Sequence, residues 1–300
     1  MRIGFDYGGT KIAGIAIGDN GETLAEIRVP TPRHDYDAGA LAIRDATREL
    51  ENLAERAATS VGIGVPGSVD RDTGLISLGN SVWLSGKDLR ADVEAAVSVP
   101  VKIANDANCF ALSEAVDGAG KGGSVVFGAI LGTGVGGGVV VNGELVVGVN
   151  SIGGEWGHFP LPDPRDDERP GPMCSCGKFG HTESWLSGPS LSADYARSAG
   201  IAVAGGPNPS EILALAAGGD DVAETTMARF EDRLARSLAV IVNFLDPDVI
   251  VLGGGVSNIE RIYQNVPSLL HPHVFGDRFK TTIVQNMYGD SSGVRGAAWL

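Results

Sequence analysis

Only three cysteines occur in 300 residues, and two of them, Cys174 and Cys176, are separated by a single residue. That is too few and too close for a disulfide framework. It fits a metal site or reduced thiols and leads us to expect a cytoplasmic protein. Basic residues are also scarce. Lysine and arginine total 23 against 37 acids, a formal charge of −14, which disfavours nucleic acid, whose backbone asks for a basic footprint. It does not exclude a nucleotide, because backbone N–H groups bind phosphate without side-chain charge. No uninterrupted apolar run approaches the roughly 18 residues of a membrane span, and Arg2 leads straight into a strand pattern rather than a signal peptide.

Glycine is what the chain has in excess. The 44 glycines are about twice average usage, and many cluster at the ends of expected strands. Hydrophobic content of 43 % with 20 % charge describes a globular protein, and the length suggests two α/β domains.

Residues 2–7 read as a strand, Gly8-Gly9-Thr10-Lys11 as a tight turn, and 12–17 and 23–29 as further strands around the hairpin signal Asp19-Asn20-Gly21. This β-turn-β opening argues against NAD, whose crossover needs a helix directly after the glycines. A helix is expected over 37–58 with Leu41, Ile43, Leu50 and Leu53 inward. Strands at 61–65 and 101–104 and helices at 88–97 and 107–116 complete a first domain. Trp83 serves either core packing or the lining of a ligand cleft.

The Gly-rich segment 117–123 is the clearest boundary. Beyond it the order starts again, with strands at 124–131, 138–141 and 144–147. An irregular segment spans 148–181. Helices follow at 189–199, 209–217 and 221–244, where Phe230, Leu234, Leu238, Ile241 and Leu245 form a stripe. An apolar strand at 249–252, a helix at 258–270, a strand at 281–284 and a last helix at 293–300 close the chain.

Three glycine turns invite phosphate. Asp6-Tyr7-Gly8-Gly9-Thr10-Lys11 sets an acid at a strand end beside a turn that can close on an anion. Gly132-Thr133-Gly134 opens the second half likewise, and Gly253-Gly254-Gly255 could let an adenine or ribose lie on the backbone. Glycine there permits positive φ and leaves N–H groups unobstructed. Neither of the first two is a P-loop, and each alone is also an ordinary hairpin turn. Asp6 is the candidate to hold Mg²⁺ through water. Asn105-Asp106 lies at a strand-to-helix junction, where a carboxylate is either a helix cap or a group aimed at a ligand.

Gly154-Glu155-Trp156-Gly157-His158 precedes Cys174-Ser175-Cys176 and Gly177-Lys178-Phe179-Gly180-His181. His158, Cys174, Cys176 and His181 supply a full tetrahedral set for structural Zn²⁺ with no open position for catalysis. A metal there would order a segment with little core of its own and aim Glu155 and Glu183.

Together these motifs resemble the ROK family of sugar kinases, over essentially all 300 residues. Within that family the likeness runs to bacterial fructokinases of the manno(fructo)kinase type, through residues 80–86, 113–118 and 289–300. The resemblance implies the two-domain actin-like ATPase (ribonuclease H-like) fold, an α/β architecture with an interdomain cleft and a zinc-binding segment at 154–183. The first domain is then 1–117, completed by the helix at 290–300, and the second 118–289. It further implies an ATP-dependent kinase acting on the 6-hydroxyl of a hexose, D-fructose first and mannose as well. Glucose and N-acetylhexosamines are alternatives within the family, and a non-catalytic sugar-binding regulator is an alternative outside enzymology. Asp106 becomes the general base, and Asn80, Asn105, Asp106, Glu155, His158 and Glu183 the sugar contacts. Asp6, Gly8, Gly9, Thr10, Lys11, Gly132, Thr133, Gly134, Gly253, Gly254 and Gly255 become the ATP–Mg²⁺ contacts. The family's zinc ligands are one histidine and three cysteines, and here the third cysteine is replaced by His181. A homodimer without nucleic-acid or membrane partners is expected. Because the chain opens with its first strand, no N-terminal DNA-binding domain is expected.

Overall fold

The computed structural model describes the chain apart from Arg71, Leu78, Gly79, Asn80, Ser81 and Asp277. Asn80, expected at the sugar, lies outside the described residues. Alternating burial of Ile3, Phe5 and Tyr7 fixes β1 (Arg2–Tyr7) against a core. β2 (Lys11–Ile17) and β3 (Thr23–Pro30) follow it as an antiparallel meander. Next come α1 (Tyr36–Ala54), β4 (Ser60–Val65), the short pair β5 (Ser68–Val69) and β6 (Ile76–Ser77), α2 (Leu89–Val97), β7 (Val101–Asn105) and α3 (Asp106–Val116). β4 and β7 run parallel to β1, giving the order β3-β2-β1-β4-β7.

The second pass has β8 (Val125–Leu131), β9 (Val135–Val141) and β10 (Glu144–Leu145), then α4 (Glu183–Leu186), α5 (Gly188–Ala199), α6 (Pro209–Ala217) and α7 (Asp221–Leu245). β11 (Val249–Gly253), α8 (Glu260–Leu270), β12 (Thr282–Gln285) and α9 (Ser292–Trp299) end it. Its sheet order, β10-β9-β8-β11-β12, repeats the plan of the first. The expected α/β fold is therefore present, and both of its five-stranded sheets are mixed.

Two compact units emerge from the packing: 1–122 with 138–154 and 287–300, and 123–137 with 155–286. Residues 138–154, read from sequence into the second domain, cluster with the first. Gly138 explains this locally, since a Cβ there would lie 2.7 Å from the Ala111 methyl group and 3.0 Å from the Ala107 carbonyl oxygen of α3. The core of the first unit gathers Ile3, Phe5, Ile12, Ile43, Leu50, Val61 and Ile63.

Two inward assignments on α1 are corrected. Leu41 and Leu53 are 45 % and 57 % exposed, while Ile43 and Leu50 are buried. Leu41 is two residues from both Gly39 and Ile43, so at about 100° per residue it points away from their face. Leu53 falls in the last turn, because α1 stops at Ala54 with Glu55 in the left-handed region and its N–H on the Asn52 carbonyl. The stripe on α7 is buried as read, with Leu245 half-buried at its end. Trp83 is half-buried against the first unit's core, edge-on to His34 at 5.1 Å. Among the described residues no helix is long and apolar enough to cross a membrane.

Candidate active site

In the first unit, Asp6 and Asn105 sit at the carboxyl ends of two parallel strands, β1 and β7, that flank β4. β1 pairs Asp6 with Gly64 of β4, and β4 pairs Val65 with Asn105 of β7. Such an edge is where open α/β sheets place their ligands. Asn105 is the N-cap of α3: its Oδ1 accepts from the N–H groups of Ala107 at 2.9 Å and Asn108 at 3.3 Å. Its Nδ2 donates to the Gly67 carbonyl at 2.9 Å. Asp106 follows as the first helical residue, and its Oδ1 also accepts from the Ala107 N–H at 2.8 Å. Burial chiefly, and then the neighbouring Asp106 carboxylate, push Asp6 up to about 6, with the Lys11 ammonium opposing them. Two acids facing each other at the carboxyl edge of one sheet, Asp6 from β1 and Asp106 from the start of α3 after β7, with Lys11 as the opposing charge, are a donor set that fits a divalent cation. Cys109 is wholly buried behind them, and burial with these two acids raises its thiol, which stays protonated.

The turn after Asp6 is closed by Thr31, whose hydroxyl donates to the Gly8 carbonyl at 2.7 Å and whose N–H reaches the Thr10 carbonyl. In the second unit the turn at 132–134 is tied by the Gly132 N–H to the Gly134 carbonyl at 2.9 Å. The first N–H of α5, from Gly188, reaches the Gly132 carbonyl at 2.8 Å. Gly254 lies beside this turn, and a Cβ on it would stand 2.5 Å from the Leu131 carbonyl oxygen. The two second-unit turns are thus neighbours at the ends of the parallel strands β8 and β11. The freedom for positive φ that glycine permits is used sparingly. Of Gly8, Gly9, Gly132, Gly134 and Gly253–Gly255, only Gly254 takes it, at +80°. The others answer a need for space: a Cβ on Gly134 would lie 2.7 Å from Glu183 Oε2, and one on Gly8 3.0 Å from the Lys11 carbonyl.

Glu155, His158 and Glu183 gather in the second unit. Trp156 is buried with its indole N–H on the Gly136 carbonyl at 2.7 Å and its ring edge-on to Phe127 at 5.7 Å. Gly157 presses on Val135, whose carbonyl oxygen would lie 2.0 Å from a Cβ. This pair seats the segment against β9 and so aims the residues on either side. Glu155 is raised by burial, with His158 opposing and Glu183 adding to the rise. Glu183 is held at both oxygens. Oε2 accepts from the Val135 N–H at 3.1 Å, and Oε1 from the Ser175 hydroxyl at 2.6 Å. Ser175, Gly157, Gly67 and Thr31 were not singled out by sequence reasoning. For Gly157 the only signal was its place between two candidate ligands.

His158, Cys174, Cys176 and His181 converge with all ligand atoms within 4.8 Å of one another. Cys174 Sγ is 3.6 Å from His158 Nδ1, and Cys176 Sγ is 3.3 Å from His181 Nδ1. A tetrahedral zinc ion with bonds of about 2.0–2.3 Å holds its ligand atoms about 3.3–3.8 Å apart, so the set fits one. Burial, then the His158 and Lys178 charges, lower His181, against Glu183, and so favour the neutral imidazole a metal needs.

The profile of the ROK family matches residues 2–300. An N-acetyl-D-glucosamine kinase from Yersinia pseudotuberculosis serotype O:1b (strain IP 31758) is 41 % identical over 304 residues, spanning 100 % of this chain and 98 % of the relative. A ROK hexokinase from Thermus thermophilus superposes with a TM-score of 0.87 at 30 % identity, covering 99 % of this chain and 96 % of that one. A ROK family glucokinase from Streptomyces griseus, solved with glucose and AMPPNP, superposes with a TM-score of 0.78 at 28 % identity, covering 99 % and 97 %. No fructokinase stands among these three, so the expected lean toward that branch gains no support from them. The match over the full length makes the chain a member of the ROK family of sugar kinases.

Proposed function

We propose that the protein phosphorylates N-acetyl-D-glucosamine, moving the γ-phosphoryl group of ATP to the sugar's 6-hydroxyl and releasing ADP. The amino sugar is preferred to D-fructose because an N-acetyl-D-glucosamine kinase is 41 % identical end to end. The observation that carries the chemistry is Asp106 on the first turn of α3, beside Asp6 and held in place by the Asn105 cap.

Phosphoryl transfer asks mainly for alignment and charge stabilisation, with a modest base for the acceptor. Asp106 accepts the proton of the 6-hydroxyl as the new P–O bond forms, from hydrogen-bond distance of about 2.6–3.2 Å in a productive complex. Asn105 has both lone pairs of Oδ1 and one amide hydrogen engaged, which leaves one N–H to donate to a sugar hydroxyl. Glu155, His158 and Glu183 hold further hydroxyls, and Oε2 of Glu183 keeps a lone pair beyond its bond from the Val135 N–H. Backbone N–H groups of the turns at 8–11, 132–134 and 253–255 take the nucleotide. Mg²⁺ brought with ATP neutralises phosphate charge, and Asp6 would hold it through water. Zinc held by His158, Cys174, Cys176 and His181 would be structural, since four protein ligands leave no open position.

Coupled ADP release over N-acetyl-D-glucosamine, N-acetylmannosamine, glucose, mannose and fructose tests the reading. The amino sugar is expected to lead in kcat/KM by about tenfold or more, the least that one extra group filling a pocket commands. Asp106→Ala is expected to lower kcat by about 10²–10⁴ while sugar binding stays measurable. A lead for fructose would move the assignment to the other branch. ADP release with none of these sugars would favour the non-catalytic regulator.

A further inference from the structure

The motif Ser113-Glu114-Ala115-Val116-Asp117-Gly118 has no part in the chemistry above, yet it contains a carboxylate that is wholly buried. Three neutral donors converge on Glu114. Oε2 accepts from the backbone N–H of Ala119 at 2.9 Å and of Met287 at 3.1 Å, and Oε1 from the Ser292 hydroxyl at 2.7 Å. Gly118 folds tightly over it, so that a Cβ there would lie 2.3 Å from Oε2.

The chain passes between the two units at four points, 122/123, 137/138, 154/155 and 286/287. Ala119 stands just before the first of these, and Met287 is the first residue after the last. Glu114 therefore gathers two segments far apart in sequence at the last turn of α3. Burying an acid among neutral groups costs solvation, which packing alone would not require. Its yield is geometric. α3 is held at its start by Asn105 on Gly67, at its middle by Gly296, where a Cβ would lie 1.6 Å from the Cys109 carbonyl oxygen, and at its end by Glu114. An 11-residue helix behaves as one stiff rod, so slack at Glu114 reaches Asp106.

We propose that Glu114 is a positioning residue for phosphoryl transfer: by tying the last turn of α3 to the chain before the first crossing and after the last, it fixes where Asp106 stands. This rests on Asp106 being the base. Glutamine can keep the geometry, because its Oε1 can accept both backbone N–H groups. Its Nε2 can then donate to Ser292, whose hydroxyl proton turns to the Gly289 carbonyl 3.1 Å away. Alanine abandons the tie. Aspartate keeps the charge but draws it back by one methylene.

Kinetics of the full chain with ATP and N-acetyl-D-glucosamine, or whichever sugar of the panel is turned over, test this. Displacing a catalytic group by about 1 Å costs on the order of 10²-fold. Glu114→Ala and Glu114→Asp are expected to lose kcat on that scale per folded molecule, with KM for ATP within about twofold. Glu114→Gln is expected to stay within about threefold of the parent. In an Asp106→Asn background, Glu114→Ala should cost no further activity, since both act through one group. If Glu114→Ala does not fold, Glu114→Asp carries the comparison. Normal kcat with only a lower Tm in the Ala or Asp variant, or full additivity with Asp106→Asn, overturns the proposal. A normally active Asp106→Asn overturns the base assignment instead, so the two failures are distinguishable.

Discussion

Gly157 shows how little freedom the residues at the site have. A methyl group there would enter the Val135 carbonyl oxygen at 2.0 Å, a contact no rotamer relieves because both atoms belong to backbone. Gly157→Ala is expected to cost about 1–3 kcal/mol, the usual range for overpacking. It should also raise KM for the sugar, because Glu155 and His158 flank the displaced residue; a thermal melt and a sugar titration read the two effects. Normal KM with a lowered Tm would separate the glycine from the ligand. Asp6 makes a prediction in pH. Its carboxyl is pushed from 3.8 up to about 6 by burial and by Asp106, so the folded chain binds this proton more tightly than the unfolded one. Its contribution to stability is therefore present at low pH and falls as pH rises between those values. Activity runs the other way, since the anion is the form that serves Mg²⁺: kcat/KM for ATP should drop as pH falls through about 6. Asp6→Asn should be slow and lack that limb, and an unchanged acid limb in that variant would assign it elsewhere. Asn105 and Asp106 were legible in sequence because a polar pair interrupts an apolar run. Gly157 and Gly134 were not legible as space-makers, because what they make room for lies elsewhere in the chain.

At the scale of elements, period and caps carried most of the reading. β1, α2, β7, α5 and α7 lie within a residue or two of their expected bounds, each marked by an apolar stripe or a capping residue such as Asp88, Asn105, Ser187 or Asp220. α1 was overextended because nothing in 55–58 breaks a helix by propensity. Its end is set instead by Thr59, whose N–H reaches the Met1 carbonyl as the chain enters β4. The segment from 155 to 183 had no period at all and was legible only through its ligands. It holds two single turns of 3₁₀ helix and isolated bridges between Pro160 and His181 and between Met173 and Phe179, which is little backbone pairing for its length. Such a segment should depend on its metal. One zinc per chain is expected by elemental analysis. Cys176→Ala should lose it and raise KM for the sugar by about tenfold or more, the least that losing even an outer partner of a metal site costs. The path is short, because Glu183 is held by Ser175, between the two cysteines. Wild-type kinetics in a zinc-free Cys176→Ala protein would uncouple the cluster from the sugar.

For the whole molecule, the repeated β-turn-β order announced two similar sheets, but not which pieces of chain pack together. Residues 138–154 join the first unit through contacts such as Gly138 on α3, which no local pattern encodes. Charge is the global property that composition did reveal, and it bears on ATP. A chain of net charge −14 repels a polyanionic nucleotide at long range, and Lys11 is the one basic residue in the three glycine turns. Backbone dipoles act at contact distance and are screened little, whereas the long-range repulsion is screened strongly. Raising KCl from about 0.05 to about 0.3 M shortens the Debye length from about 14 to about 6 Å. With free Mg²⁺ held constant, KM for ATP should then stay level or fall by up to about twofold, opposite to a site built on lysines and arginines. A rise of about threefold or more would mean that a cationic side chain carries the phosphates. Lys11→Ala would then identify it by abolishing the salt dependence, and the backbone turns would be left with the lesser share of the nucleotide.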